Sequence, residues 1–420
     1  MMWQKFDLRV TFNLLVVVYA FVLPLSRASV GISIVLMTLL FLFQRDLKVQ
    51  LVQIGKNSIT RAIILFVLFY YLTLLSVSGE DMRQGLKDLV PYLYLLPAVM
   101  MMGTIDKQTI PKVMIAFIAG MFVSEIISYG IFFELWEKSR VVASNPTPFM
   151  HHIQYSTFLA FTALVLLDTV LKERQLAYRV FSLLFFVAVV ATLFVINGRT
   201  GQVAFLGGLF LLGLTHFQNR VKALFLSSLL IVLVVGTAYG LSDNFRERVS
   251  VAQSDIHKMI NEGNFGTSLG YRVGVTILSI PLIKENPLLG TGVVDTMPRI
   301  KMEAKKAFPD DYWLKRANHL QNQYLQVLVE IGLVGLGFLM WMLYEIARIP
   351  LHSNRYRTIK IVLIAVYFFT MFSDIQLHIQ FTVGLFALIV GLLLAQSRIE
   401  NEEESKKVEE SKKIEKVSCA

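Results

Sequence analysis

The sequence predicts an all-α polytopic membrane protein with about 12 transmembrane helices and one large helical loop on the outer face. Three observations carry this. The 420-residue chain is 55% apolar and only 17% charged, and its apolar runs recur at close to the ~20 residues that cross a bilayer core as helix. Those runs are continuously apolar rather than alternating, which argues against a strand barrel. Between Leu241 and Gln321 the chain turns polar, charged and punctuated by Gly and Pro.

The expected spans are 10–26, 29–44, 62–78, 88–103, 111–133, 153–171, 179–197, 200–217, 223–241, 322–345, 360–374 and 379–397. Pro24 interrupts the first apolar run and a second follows at once, so an uncleaved helical hairpin is expected in place of a signal peptide. Basic residues cluster in alternate loops: Arg45, Lys48, Lys56 and Arg61, then Lys107 and Lys112, then Lys172, Arg174 and Arg179, then Arg220 and Lys222, then Arg348, Arg355, Arg357 and Lys360. The positive-inside rule then puts both termini inside and the long loop outside. It also accounts for much of the net charge of +10 without nucleic acid.

This layout divides the chain into residues 1–241 (transmembrane helices 1–9), 242–321 (an outer helical subdomain), 322–397 (helices 10–12) and 398–420 (a charged inner tail). The tail alternates Glu and Lys blocks and reads as a solvated helix or as disorder. Within the subdomain, Asp243 to Glu262 reads as helix, and Gly263-Asn264-Phe265-Gly266 breaks it. A helix from Tyr271 to about Ile280 follows, which Pro281 should kink or end. After the turn at Glu285-Asn286-Pro287, residues Arg299 to Arg316 are basic and helix-like until Pro309-Asp310-Asp311. The single cysteine, Cys419, excludes an intrachain disulfide and suggests no zinc cluster.

Candidate chemistry collects on the outer side. Arg199 stands in Asn197-Gly198-Arg199-Thr200, between two strongly apolar segments. It is either a snorkelling anchor or a guanidinium whose planar fork grips phosphate, with Gly198 letting a ligand approach the backbone. Arg272, Arg140, and Arg246 with Arg248 fall on the same side. Pyrophosphate binding needs several cations, which need not be sequence neighbours. His151-His152 has no third ligand at metal-site spacing, so no metal is expected. Asp374 is either a plain loop carboxylate or a group that orients an Arg or contacts sugar hydroxyls. Glu125, Glu330 and Glu345 are rare ionisable groups in or near spans. With no internal repeat and the polar mass on one face, a transporter is disfavoured.

The ordered motifs Asn197-Gly198-Arg199-Thr200, Gly270-Tyr271-Arg272, Asn286-Pro287-Leu288-Leu289-Gly290-Thr291-Gly292 and Gln321-Asn322-Gln323-Tyr324-Leu325, with Gly332 and Gly335, resemble the O-antigen ligase and O-antigen polymerase superfamily. The last is the most specific: Asn322, the residues 323–331, Gly332 and Gly335 keep the family spacing. The chain departs where the family has histidine, since Gln321 stands there and cannot take a proton near neutral pH. His319 is two positions earlier, about 200° away on an ideal helix. Three readings stay open: His319 works in a shifted geometry, the site relies on electrostatics without that base, or Gln321 is an inactivating change that traps substrate.

The resemblance implies a glycosyltransferase of lipopolysaccharide biosynthesis. It would move O-antigen polysaccharide from undecaprenyl diphosphate to lipid A–core oligosaccharide, without cofactor, metal or nucleotide. The outer loop would then be periplasmic, and the chain would sit in the bacterial inner membrane with its termini cytoplasmic. Its partners would be the lipid-linked glycan donor, the lipid A–core acceptor and membrane lipids, with no nucleic acid. Arg199 and Arg272 are assigned to the diphosphate by resemblance, with Arg140 and Arg246 as further cations. His319 and Gln321 are expected on the acceptor side, Asn322 as a further catalytic residue of the motif, and Asp374 and Tyr324 as substrate-orienting groups. An O-antigen polymerase is the alternative, and a lipid-linked sugar transporter a more distant one.

Overall fold

The computed structural model describes residues 7–418 apart from 78, 217–219 and 242, so Cys419 lies outside the described residues. The helices are α1 (Leu8–Val22), α2 (Arg27–Leu42), α3 (Leu47–Lys56), α4 (Ser58–Leu72), α5 (Gly79–Leu93), α6 (Leu96–Thr104), α7 (Thr109–Phe132), α8 (His152–Lys172) and α9 (Leu176–Val195). They continue as α10 (Arg199–His216), α11 (Arg220–Leu241), α12 (Asp243–Glu262), α13 (Ser268–Glu285), α14 (Val293–Ala307), α15 (Gln323–Ala347), α16 (Asn354–Met371) and α17 (Gln380–Ser418). Among the described residues there is no strand. Polar residues start several of these helices by taking up free backbone N–H groups. Asn57 Oδ1 caps α4, and Thr267 Oγ1 accepts the Gly270 N–H at 3.0 Å to open α13.

Among the described residues, seven helices are long and apolar enough to cross a membrane, or eight if α2 and α3, bent by 108°, count as one. That is fewer than the twelve expected from apolar runs, for local reasons. The run at 88–103 is not one rod. Pro91 lies inside α5, and the chain turns at Tyr94 and Leu95, whose N–H groups bond Pro91 O and Tyr92 O at 3.1 Å before α6 begins. Helices α10 and α16 spend their first turns on polar and charged residues, Arg199 and Gln202 in one and Asn354, Arg355 and Arg357 in the other. Helix α1 is short.

The core sits around α17, whose apolar window is 89% buried, against 33% for α9 at the periphery. Carboxylates tie neighbouring helices together, one of them buried and one partly exposed. Glu125 on α7 accepts the Tyr155 hydroxyl of α8 at 2.6 Å and the Thr192 hydroxyl of α9 at 2.7 Å. Glu345 on α15 accepts from Ser58 of α4 at 2.6 Å. Satisfied in this way, Glu125 acts as an interhelical clamp.

A second, smaller apolar cluster holds the outer segment together: Val275, Leu278 and Leu282 of α13 pack with Ile300 and Ala304 of α14, Leu314, Leu320 and Val329. Burial on both sides of Pro281 explains why α13 runs through that proline to Glu285 instead of ending there. Helix α12 spans the expected residues, and the charged tail is the helical continuation of α17.

Helix α15 is broken in its middle, at Ile331 (φ −131°, ψ 17°) and Gly332 (φ 66°, ψ −167°). The 286–292 loop fills the break. Thr291 and Gly292 donate to Val329 O and Glu330 O at 2.8 and 2.9 Å, while Leu333 and Val334 donate back to Pro287 O and Leu288 O at 2.9 and 3.2 Å. Two of the motif glycines are dictated by this contact. Gly290 (φ 73°) would put a Cβ 2.5 Å from the Glu330 carbonyl carbon, and a Cβ on Gly332 would run into Leu288 O.

Candidate active site

A cavity of about 1340 Å³ opens between the helix ends and the outer segment. Its walls come from the 144–153 region, the start of α10, one face of α12, the start of α13, residues 312–321 and the end of α16. Each piece is pinned where it meets the cavity. Thr200 Oγ1 and Ser373 Oγ lie 2.6 Å apart, joining the start of α10 to the end of α16, and Gly201 N–H donates to Ser156 Oγ at 3.1 Å. A Cβ on Gly198 would collide with Ser156. Gly198 therefore serves the close approach of α10 to α8, not the approach of a ligand as its position suggested.

Arginines dominate the lining: Arg199, Arg248, Arg272 and Arg316 face Glu247 as the one carboxylate among the lining residues. The Arg199 and Arg248 guanidinium groups have no ion-pair or hydrogen-bond partner among the described residues. Arg272 bonds only neutral acceptors, Ser268 O at 2.9 Å, Ser268 Oγ at 3.1 Å and Ser373 O at 3.5 Å. Burial pushes the Arg248 pKa down, and neighbouring Arg199 adds to it. Burial likewise lowers Arg272, with Asp374 opposing and Arg199 adding. Guanidinium groups stay charged under such shifts, so this is a concentration of positive charge relieved only by an anion. Arg316 instead lies over the Tyr312 ring, 4.2 Å from its centroid.

His319 lines the same cavity. Its backbone carbonyl accepts the Tyr271 hydroxyl at 3.2 Å, and its Nδ1 accepts the Gln321 N–H at 3.2 Å. Asp374, which is buried, places Oδ1 3.9 Å from that same Nδ1. Burial lowers the His319 pKa, Asp374 opposes this, and Arg272 and His151 reinforce it. At neutral pH the ring is uncharged, and with Nδ1 accepting, its hydrogen is assigned to Nε2.

The sequence-derived candidates divide. Arg199, Arg272, His319 and Gln321 share the cavity wall, with Asp374 directly behind His319. Gln321 sits at φ 48° and its Oε1 is buried without a partner among the described residues. Asn322 is the N-cap of α15, its Oδ1 taken by the Tyr324 and Leu325 N–H groups at 3.0 and 3.1 Å. Tyr324 packs on Phe372 with ring centroids 4.7 Å apart, outside the lining. Arg140 stands in an exposed turn at φ 66°, and Arg246 pairs with Asp243, both away from the cavity. Helical phase separates Arg246 from Arg248. At 100° per residue they lie about 200° apart, and it is Arg248 that shares the cavity face with Glu247 and Val251. Arg316 was hidden within a generally basic stretch. Among the described residues no group of three or more His, Cys, Asp or Glu is placed to hold a metal ion.

Residues 183–340 match the O-antigen ligase family. The matched stretch contains Arg199, Arg272, His319, Gln321 and the broken α15, and bears out the resemblance read from the motifs. No curated protein matches the chain. The chain is a multi-pass helical membrane protein, and the similarity of residues 183–340 to the O-antigen ligase family supports a glycosyltransferase-like function of the ligase or polymerase type in lipopolysaccharide biosynthesis.

Proposed function

We propose that this protein is an O-antigen ligase. In this reading it transfers O-antigen polysaccharide from undecaprenyl diphosphate to a sugar hydroxyl of lipid A–core oligosaccharide, at the periplasmic face of the bacterial inner membrane. The distribution of Lys and Arg supports cytoplasmic termini and a periplasmic cavity. A twelve-crossing layout follows if α1, α2, the α5–α6 pair, α10 and α16 also cross.

The observation that carries the proposal is the set of carboxylate-free guanidinium groups of Arg199, Arg248 and Arg272 on one cavity wall beside His319. The acceptor hydroxyl oxygen attacks the anomeric carbon of the glycan, and the bond from that carbon to the diphosphate oxygen breaks. The electron pair leaves on the diphosphate, where the arginines stabilise the growing charge in a preorganised, partly buried site. The hydroxyl proton goes to His319. To receive it on Nε2, the ring must carry hydrogen on Nδ1 and direct it to Asp374, in place of accepting from Gln321. Val203, Phe369 and Phe372 supply an apolar part of the wall for the polyprenyl tail. The activated donor makes nucleotide, cofactor and metal unnecessary.

The test is reconstitution of the full chain with a lipid-linked glycan and purified lipid A–core. Glycan attached to lipid A–core is the expected product. A longer lipid-linked glycan with no lipid A–core product would assign a polymerase instead, and unmodified glycan moved across the vesicle would assign a transporter.

A further inference from the structure

Below the cavity a chain of buried polar side chains leads from α4 to the His319 turn. Tyr70 on α4 donates its hydroxyl to Glu330 Oε2 at 3.0 Å. Glu330 Oε1 accepts the Gln326 amide at 2.6 Å. Gln326 Oε1 in turn accepts the backbone N–H of Leu320 at 2.8 Å. Glu330 and Gln326 are both buried, and neither lines the cavity. The broken segment of α15 fixes this chain from the other side, because the Glu330 carbonyl holds the Gly292 N–H at 2.9 Å.

Each link has a job. A carboxylate in the bundle interior is costly unless its oxygens are satisfied. Glu330 in turn fixes the Gln326 amide so that its oxygen, not its nitrogen, meets Leu320 N–H. Leu320 lies between His319 and Gln321, the residue at φ 48° whose N–H reaches back to His319 Nδ1. A left-handed turn at a non-glycine residue is strained and persists only where its surroundings impose it.

We propose that Gln326 and Glu330 are positioning residues, which hold the His319–Asn322 turn in the shape that aims His319 into the cavity. This rests on the ligase reading for what His319 does, but the geometry of the turn can be tested apart from it. Neither residue belongs to the motif that carries the family resemblance.

The experiment compares the full chain with Gln326→Met and Glu330→Gln. Methionine fills the same length without hydrogen bonds, whereas the Glu330→Gln amide keeps an acceptor for Gln326. Gln326→Met should lower kcat at least about tenfold with the donor KM within about twofold, because a small misplacement of a reacting group acts on the chemical step. Glu330→Gln should retain most of the activity. His319 faces Asp374, Arg272 and His151, and a loosened turn leaves it better solvated. The acid limb of the pH–rate profile should therefore move up toward the ordinary histidine range in Gln326→Met, a change that general destabilisation does not produce. Hydrogen exchange of the peptide containing Leu320 and Gln321 should accelerate in the same variant. If Gln326→Met does not insert, Glu330→Leu replaces it, with the same expectations. Unchanged kcat, pH profile and exchange in the inserted variant would overturn the proposal. A wild-type chain that attaches no glycan would instead refute the ligase reading, leaving the exchange measurement to decide the turn.

Discussion

Nδ1 of His319 lies 3.9 Å from Oδ1 of Asp374, and the same nitrogen accepts the N–H of Gln321 at 3.2 Å. One nitrogen thus stands between a carboxylate that would draw a hydrogen onto it and a backbone donor that needs it bare. Which contact wins decides whether Nε2 donates or accepts. Asp374→Asn keeps an oxygen for the Ile375 N–H that Asp374 Oδ1 now accepts at 2.9 Å but removes the charge that stabilises a protonated ring. Transfer should fall about 100-fold or more with little change in donor KM, measured by steady-state kinetics in proteoliposomes.

Arg199→Ala and Arg272→Ala should each reduce glycan attachment by about 100-fold or more, in the range found for removing one preorganised donor to a developing anion. Arg248→Ala should weaken it in the same direction. Arg140→Ala and Arg246→Ala, which alter side chains outside the cavity, should leave it near wild type. Membrane insertion, followed by protease accessibility, should be normal in all five. Wild-type attachment in both Arg199→Ala and Arg272→Ala would remove the basis for a diphosphate site.

Gly332→Ala should destabilise the protein by at least about 1–2 kcal/mol, the cost of a left-handed backbone for a residue with Cβ, before the collision with Leu288 O is added. Gly290→Ala should behave similarly, because its Cβ would press on Glu330. Gly337→Ala is the control, having nothing within 4 Å of the added carbon. Thermal melting of the solubilised protein separates the three.

The buried histidines make a contribution to stability that falls on acidification. Burial pushes His378 down from 6.5 to about 4, and lowers His151 and His319 in the same direction. An unfolded chain binds protons at these sites as pH drops below about 6.5, while the folded chain resists them. The stabilisation is therefore full above that value and is lost as pH falls through the folded pKa values, for His378 near 4. His378→Asn should remove its share, so that between pH 7 and 4.5 the wild-type melting temperature falls relative to that of the variant.

Gln321→His tests the position where the family carries histidine. The left-handed backbone at Gln321 (φ 48°) is one that His adopts more readily than most residues, so the substitution should fold. A second imidazole on the cavity wall should raise transfer severalfold. No change, together with loss in His319→Ala, would leave proton transfer to His319.

The motifs were legible through their order and spacing along the chain, from Asn197-Gly198-Arg199-Thr200 to Gly332 and Gly335. The helix Asp243–Glu262 could be read from periodicity to its ends. What escaped depended on contacts distant in sequence. The choice of Arg248 over Arg246 follows from which face of α12 turns toward the cavity. Glu330 looks like an isolated acid in a span because its partner Tyr70 arrives from α4, 260 positions away. Gly198 looked like a ligand approach because nothing local reveals Ser156 opposite it. The twelve apolar runs yield, among the described residues, seven or eight helices long and apolar enough to cross, for a similar reason. An apolar run records composition, whereas Pro91 and the bend between α2 and α3 set where the rod stops.

Helix α17 passes without interruption from the middle of the bundle to Ser418. Glu400 and Glu404 still hold α17 against His352, and at about 1.5 Å per residue the portion beyond Glu404 reaches roughly 20 Å from the bundle. A fluorescent reporter or affinity handle fused there would be carried on a rigid mast, rotating with the bundle and not on a slack tether. Its orientation could then report on how the whole protein tilts in a membrane.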